Sequence, residues 1–315
     1  MSTALISHTD CLKHVNPPGH PEQVDRLRAI TAALEAEEFA YLVRVDAPLA
    51  EDAQLARAHP PSYIAALAAR SPETGFARLD ADTGMSPGTL TAARRAAGAV
   101  VQAVDMVMAG EVANAFCAVR PPGHHAEQAT AMGFCLFGNV VIGARHALDV
   151  HELSRVAIMD FDVHHGNGTQ DLVWNDERIL FASTHQMPLY PGTGAAAETG
   201  AFGQVVNAPL PPGAGSEVFR AAMLAKILPA IKAHAPEMIF ISAGFDAHAR
   251  DPLANLGLTE ADFAWATAQL CDIADRFCRG RVVSTLEGGY DLNALAASVV
   301  AHVRVLAERG HGCRD

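Results

Sequence analysis

Basic side chains are scarce in this 315-residue chain: 23 Lys and Arg face 35 Asp and Glu, a formal charge of −12. Such a surface repels phosphate backbones, so direct nucleic-acid binding is not expected. No apolar run approaches the ~18 residues that would span a bilayer. The opening residues, MSTALISHTDCLKH, lack the basic flank, apolar stretch and cleavage site of a signal peptide, and a cytoplasmic protein without a membrane partner is expected. The six cysteines (Cys11, Cys117, Cys135, Cys271, Cys278 and Cys313) form no C-x-x-C pair. This argues against a zinc ribbon or disulfide framework and for reduced, buried thiols. Neither a P-loop nor G-x-G-x-x-G occurs, which removes nucleotide-binding readings. Charged residues make up 18% and aromatics 6%, while apolar residues reach half, enough for a large core and too many for disorder. Histidine is abundant: the 15 imidazoles outnumber the 2 Trp and 4 Tyr together, and several cluster. The acidic balance would suit a cationic amine or basic peptide, although ordinary solubility accounts for it equally well.

Short Val/Ile/Phe-rich runs predict strands at Thr3 to Ser7, Tyr41 to Val45, Ala115 to Val119, Arg155 to Asp160, Arg178 to Thr184, Val205 to Ala208, Met238 to Ala243 and Arg281 to Leu286. Helical periodicity marks Gly88 to Ala109, Leu136 to His146, Glu217 to His234, Glu260 to Cys278 and Leu292 to Glu308, with a start signal at Thr259-Glu-Ala-Asp262. The alternation predicts an α/β fold, a mostly parallel sheet with helices on both faces. Length alone would allow two domains, but no linker or repeat interrupts the pattern, so one domain over residues 1–315 is expected. Ligands in such sheets sit beyond the carboxyl ends of the strands. Four polar clusters fall there: Arg120 to His125, Asp160 to Asn167, Gly244 to Asp251 and Glu287 to Tyr290.

Asp160, Asp162 and His164 alternate, so an extended chain would send their side chains to one face. Two close carboxylates repel unless a cation sits between them, and with an imidazole they make a ligand set for zinc or a similar ion. Asp246, at another strand end, is the natural third ligand. One isolated Asp would be read as a helix cap or loop fastener; D-x-D-x-H plus a second strand-end Asp would not. The His124–His125 doublet in a Pro/Gly-stiffened loop suits general base or acid chemistry, and Tyr290, after two glycines, could polarise a carbonyl. His165 faces away from His164 and reads as structural.

RPPGHHAE, DFDVHHGNGTQD, HQMPLYPGTG, ISAGFDAHARDPL and LEGGYDL, in this order, resemble the motif series of the zinc-dependent histone deacetylase family, which includes acetylpolyamine amidohydrolases. The resemblance runs from HPEQVDRLRAI near residue 20 to about Leu292 and implies the arginase/deacetylase fold, a three-layer α/β/α domain around a mostly parallel eight-stranded sheet. It implies zinc on Asp162, His164 and Asp246, His125 as the base, His124 as its electrostatic partner paired with Asp160, and Tyr290 as the oxyanion donor. Asn167 stands at the partner position of His125, as in class II-like members, where class I members carry Asp. Phe134 and Tyr190 resemble the aromatic walls of an acyl channel that also takes in Leu253 and Gly288. Ser183 and Thr184, with Asp160, Asp162 and His164, resemble a structural potassium site. Arg26 resembles an arginine near an internal acetate pocket.

The implied function is hydrolysis of an acetyl or other short acyl amide, with acyl-lysine ahead of acetylpolyamine. Polyamine-selective relatives carry Glu where this chain has Leu253, and leucine offers a distal ammonium no charge; Asp80 or Asp82 could supply it instead. A binuclear manganese ureohydrolase of the same fold would need D-x-H-x-D, and a non-catalytic ligand-binding module would have lost Tyr290, the His pair or a ligand. The sequence leaves a homo-oligomer open.

Overall fold

The computed structural model describes residues 2–312, so Cys313 lies outside the described residues; the other five cysteines are buried. The strands are β1 (Thr3–Ser7), β2 (Val43–Asp46), β3 (Ala77–Arg78), β4 (Gly84–Met85), β5 (Asn114–Cys117), β6 (Val156–Asp160), β7 (Ile179–Gln186), β8 (Val205–Leu210), β9 (Ile239–Ala243) and β10 (Val282–Leu286). The helices are α1 (Val24–Ala33), α2 (Asp52–Leu55), α3 (Pro61–Arg70), α4 (Thr89–Met108), α5 (Asn139–Asp149), α6 (Asn167–Val173), α7 (Ser216–Ala222), α8 (Leu228–His234), α9 (Glu260–Phe277) and α10 (Leu292–Gly312).

Eight strands form one sheet in the order β2-β1-β5-β10-β9-β6-β7-β8, and every neighbouring pair is parallel. The expected eight strands are therefore all present, in a fully parallel sheet. Strands β5, β6, β9 and β10 are buried at every residue, which is why they read as continuous apolar runs and not as alternating ones. Helices α8, α9, α10 and α1 pack in succession on one face, and α4, α5 and α6 on the other. The remaining pair, β3 and β4, makes a small antiparallel ribbon outside the sheet.

Two local features depart from the expected elements. The single helix expected from Glu217 to His234 is interrupted: α7 passes through a π turn, Met223–Ile227, into α8. Pro229 at the start of α8 has no N–H to give, and the ladder widens where that bond is lost. Helices α1, α2, α3 and α6 escape the periodicity reading because they run only 10, 4, 10 and 7 residues. The start signal at Thr259 does operate, its backbone N–H donating to Asp262 Oδ2 at 3.0 Å.

The loop after β2 lies directly on α4. Ala50 N–H donates to the Arg94 carbonyl at 2.9 Å, and a Cβ on Gly98 would fall 2.1 Å from the Pro48 carbonyl oxygen. Alanine in a helix interior ordinarily gains about 1 kcal/mol over glycine. Here backbone meets backbone, so Gly98→Ala should instead destabilise the fold by about 1–3 kcal/mol. Urea unfolding of the two proteins reads the sign directly.

Candidate metal centre and active site

The four polar clusters leave the carboxyl ends of β5, β6, β9 and β10, which stand side by side as β5-β10-β9-β6 in the middle of the sheet. Residues far apart in sequence are thereby delivered to one rim. The expected extended run from Asp160 to His164 is not extended: β6 ends at Asp160 and the chain turns at once. Convergence is achieved by side chains fastening the turn. Asp160 Oδ1 accepts from Asp162 N–H at 3.0 Å, Asp162 Oδ1 from His164 N–H at 2.8 Å, and Asp246 Oδ1 from Val163 N–H at 2.8 Å.

Asp162, His164 and Asp246 each offer one ligand atom, all within 4.8 Å of one another. His164 Nδ1 lies 3.1 Å from both Asp162 Oδ1 and Asp246 Oδ2. Burial, reinforced by the charge of Asp162, pushes the Asp246 carboxyl up to about 7. Burial alone would lower the His164 imidazole, but its two carboxylate partners outweigh it and bring it to about 10. Two buried carboxylates around one imidazole are short of positive charge, and an O, N, O donor set of this kind fits a borderline divalent ion such as zinc. Glycine is required behind them: a Cβ on Gly288 would lie 2.2 Å from Asp246 Oδ2, and one on Gly244 2.0 Å from Asp162 Oδ2. Gly288, expected along the channel, thus sits behind the ligands and donates its N–H to Asp162 Oδ2 at 2.8 Å.

Over this centre is a cavity of about 260 Å³ lined by Asp82, His125, Gly133, Phe134, His164, Leu189, Tyr190, Leu253 and Tyr290. Phe134 holds its ring there through a left-handed backbone (φ +69°), its N–H tied to Thr83 Oγ1 at 2.9 Å. Its ring meets that of Tyr290 edge-on at 6.0 Å, while the Tyr190 ring meets that of His125 edge-on at 5.2 Å. Burial raises the Tyr290 phenol well above its ordinary value, so it remains a donor at neutral pH.

The two histidines are adjacent in sequence with ring centres 4.0 Å apart, yet are biased in opposite directions. His124 Nδ1 pairs with Asp160 Oδ2 at 3.0 Å, and His124 Nε2 lies 3.8 Å from Asp162 Oδ2. Burial works against its charge, but Asp162 and Asp160 overcome it and hold the imidazole well above 6.5. Burial and then the charges of His124 and His164 drive His125 well below 6.5. His125 Nδ1 is 2.7 Å from Asn167 Oδ1, and Asn167 Nδ2 donates to Glu127 Oε1 at 2.8 Å, which fixes the amide so that oxygen faces the ring. With Nδ1 carrying the hydrogen, Nε2 is left to accept a proton.

Other residues enter the site without a role assigned from sequence. Glu287 Oε2 accepts from the Gly123 and His124 N–H groups at 2.7 and 3.1 Å, and burial pushes its carboxyl up to about 7. Asp251 accepts from the Tyr290 and Leu253 N–H groups at 2.8 and 2.9 Å. Both acids lie inside the motifs, but nothing in their spacing distinguishes a loop fastener from a ligand. Arg26 donates from Nε to the Gly289 carbonyl at 2.6 Å and lies 5.0 Å from the Tyr290 ring centre, which puts it behind the tyrosine turn. His165 points away, its Nδ1 2.8 Å from Thr193 Oγ1. Ser183 pairs in register with Asp160, and Ser183 and Thr184 are buried on β7.

Residues 20–306 match the histone deacetylase domain. The chain belongs to the histone deacetylase family. It is 39% identical to a probable deacetylase of Archaeoglobus fulgidus over 93% of this chain and 82% of that one. It is 41% identical to histone deacetylase 10, chloroplastic, of Oryza sativa subsp. japonica over 90% and 69%. The crystal structure of the HDA15 HD domain superposes with a TM-score of 0.92 at 34% identity, covering 99% of this chain and 92% of that one. Membership in this family supports a hydrolytic deacetylase with the α/β fold described above.

A carboxylate in place of the Asn167 amide would favour imidazolium at His125. Asn167→Asp should therefore move the acidic limb of kcat/KM upward by about one pH unit or more from a wild-type position below 6.5. Any bound divalent cation acts in the same direction as burial on the wild-type histidine. A pH–rate profile of both proteins checks the shift.

Proposed function

We propose that this chain removes acetyl or other short acyl groups from acylated primary amines, acyl-lysine foremost, with Asp162, His164 and Asp246 holding one zinc ion within a single catalytic domain. The observation that supports this most is the meeting of a three-ligand centre, a deprotonated His125 and a protonated Tyr290 at one cavity. When bound, zinc supplies Lewis acidity toward the amide carbonyl and lowers the pKa of water.

The chain's own groups supply the rest. His125 Nε2 takes the proton of the attacking water, its ring held by the Asn167 amide. His124, kept charged by Asp160 and Asp162, stabilises the negative charge that develops beside it. The Tyr290 phenol donates to the carbonyl oxygen as that charge grows, from a turn fastened by Asp251 and Arg26. His125 then returns a proton to the departing amine. Phe134 and Tyr190 flank the acyl group and exclude water. A structural potassium on Asp160, Asp162, His164, Ser183 and Thr184 is part of the same proposal, supported by the Asp160–Ser183 register. Among the described residues no helix is long and apolar enough to cross a membrane. The cytoplasm is our proposed location, although the rice relative's name places that protein in the chloroplast.

If the phenol acts only on developing charge, Tyr290→Phe should lower kcat by about 10²-fold or more with KM changed far less. Steady-state kinetics on the metal-replete variant measures the split.

Acetylpolyamine hydrolysis is a second reading because the mouth is not free of charge: Asp82 lines the same cavity as Leu253. Asp82 Oδ1 is occupied by Thr83 Oγ1 at 2.8 Å and Gly133 N–H at 3.2 Å, so its position is fixed by the loop. The wild type should hydrolyse acetyl-lysine peptide at least as well as acetylspermidine, and Leu253→Glu should shift the ratio toward the polyamine. A wild-type preference for acetylspermidine above about tenfold in kcat/KM, roughly 1.4 kcal/mol, would make the polyamine reading the right one. Asp82→Asn then tells whether that residue supplies the attraction.

A further inference from the structure

A second cluster of ligand-type side chains lies outside the catalytic rim. Asp105 on α4, His146 on α5 and His151 just beyond α5 bring one ligand atom each to within 4.8 Å of the others. Both His146 Nε2 and His151 Nε2 are 2.7 Å from Asp105 Oδ1, and the two rings meet edge-on at 5.4 Å. The chain passes from α4 into β5 and from α5 into β6, so the ends of both helices lie at the amino-terminal edge of the sheet. The catalytic loops leave the opposite edge. We propose that Asp105, His146 and His151 form a peripheral site for a divalent transition ion of the zinc, copper or nickel type, which ties the end of α5 to α4.

Two observations favour an ion over a purely hydrogen-bonded cluster. Two imidazoles and one carboxylate are the donor set these metals take, and they converge on one point instead of dividing between the two oxygens of Asp105. Asp105 is 44% exposed, which leaves solvent a path to the site and a coordination position for water. Ligand distances of about 2.0–2.2 Å at tetrahedral angles ask the Nε2 and Oδ1 atoms to stand roughly 3.3 Å apart, so the side chains need to open by a few tenths of an ångström.

Equilibrium dialysis against micromolar zinc chloride followed by elemental analysis tests the site. The wild type should take up two zinc ions, while His151→Ala and Asp105→Asn should each take up one with unchanged deacetylase kcat/KM. In an Asp246→Ala background, which isolates the peripheral site from the catalytic one, added zinc should raise Tm, and adding His151→Ala should abolish the rise. His146 is too buried to be a safe first substitution. A wild type that binds one zinc, or a His151→Ala protein that binds as many as the wild type, would overturn the proposal. If Asp246→Ala binds as much zinc as the wild type, the catalytic assignment fails instead, and the His151 comparison still decides this one.

Discussion

Negative charge buried at the carboxyl ends of the central strands is the constraint on which the site depends. Asp160, Asp162, Asp246, Glu287 and Glu22 have no exposed surface, and an unpaired buried carboxylate costs several kcal/mol. The chain meets that cost by giving each acid loop N–H groups or fixed cations. Asp160, Asp162, Asp246 and Glu287 accept from backbone at residues 162, 164, 288, 163, 123 and 124. Glu22 is held by both Arg120 and Arg26, which are themselves without exposed surface. The acids that would hold the metal are thus also the fasteners of the loops that shape its site. Metal affinity and loop conformation are coupled by the same oxygens.

The sheet order makes this economical. A parallel strand has all its neighbours' carboxyl ends on the same edge, and here the four loop-bearing strands are contiguous although they are the fifth, sixth, ninth and tenth in sequence. The glycines of the site follow from the same crowding. Gly244 and Gly288 lie where carboxylate oxygens already occupy the space of a Cβ, and a Cβ on Gly123 would fall 2.7 Å from backbone atoms of Phe137 and Asn139. These positions need glycine for close approach and not for a turn.

The central strands were legible because a short apolar run bounded by turn residues, repeated between helical segments, fits a buried parallel sheet and little else. The convergence of Asp162, His164 and Asp246 was legible because the chemistry of a ligand set restricts residue type. What escaped the sequence had weaker signatures. Glu287, Asp251 and Glu127 act on backbone or on another side chain, and a carboxylate so used looks like any loop acid. Phe134 was expected at the channel, but the left-handed backbone that holds it there is announced by no residue pattern. Gly288, expected along the channel, gives its backbone N–H to Asp162. The alternation of Asp160, Asp162 and His164 suggested the right convergence by the wrong means, since hydrogen bonds to side chains, and not an extended strand, produce it.

The adjacent histidines show how little sequence is needed to divide acid from base. His124 and His125 share a loop, are both buried, and are identical in chemistry. One has Asp160 at its Nδ1 and the other has an amide, so a difference of one charge at the two partners separates them. The separation is self-reinforcing: a charged His124 with its ring centre 4.0 Å away makes protonation of His125 costlier, and a neutral His125 leaves the charge on His124 unopposed. Glu127 stands behind the amide without touching the imidazole, so it can orient Asn167 while keeping its own charge one residue removed from the base. A carboxylate moved one position forward would narrow the division, because both rings would then have an anionic partner at Nδ1. In the proposed mechanism the pair divides into base and counter-charge because the two environments differ while the residues do not.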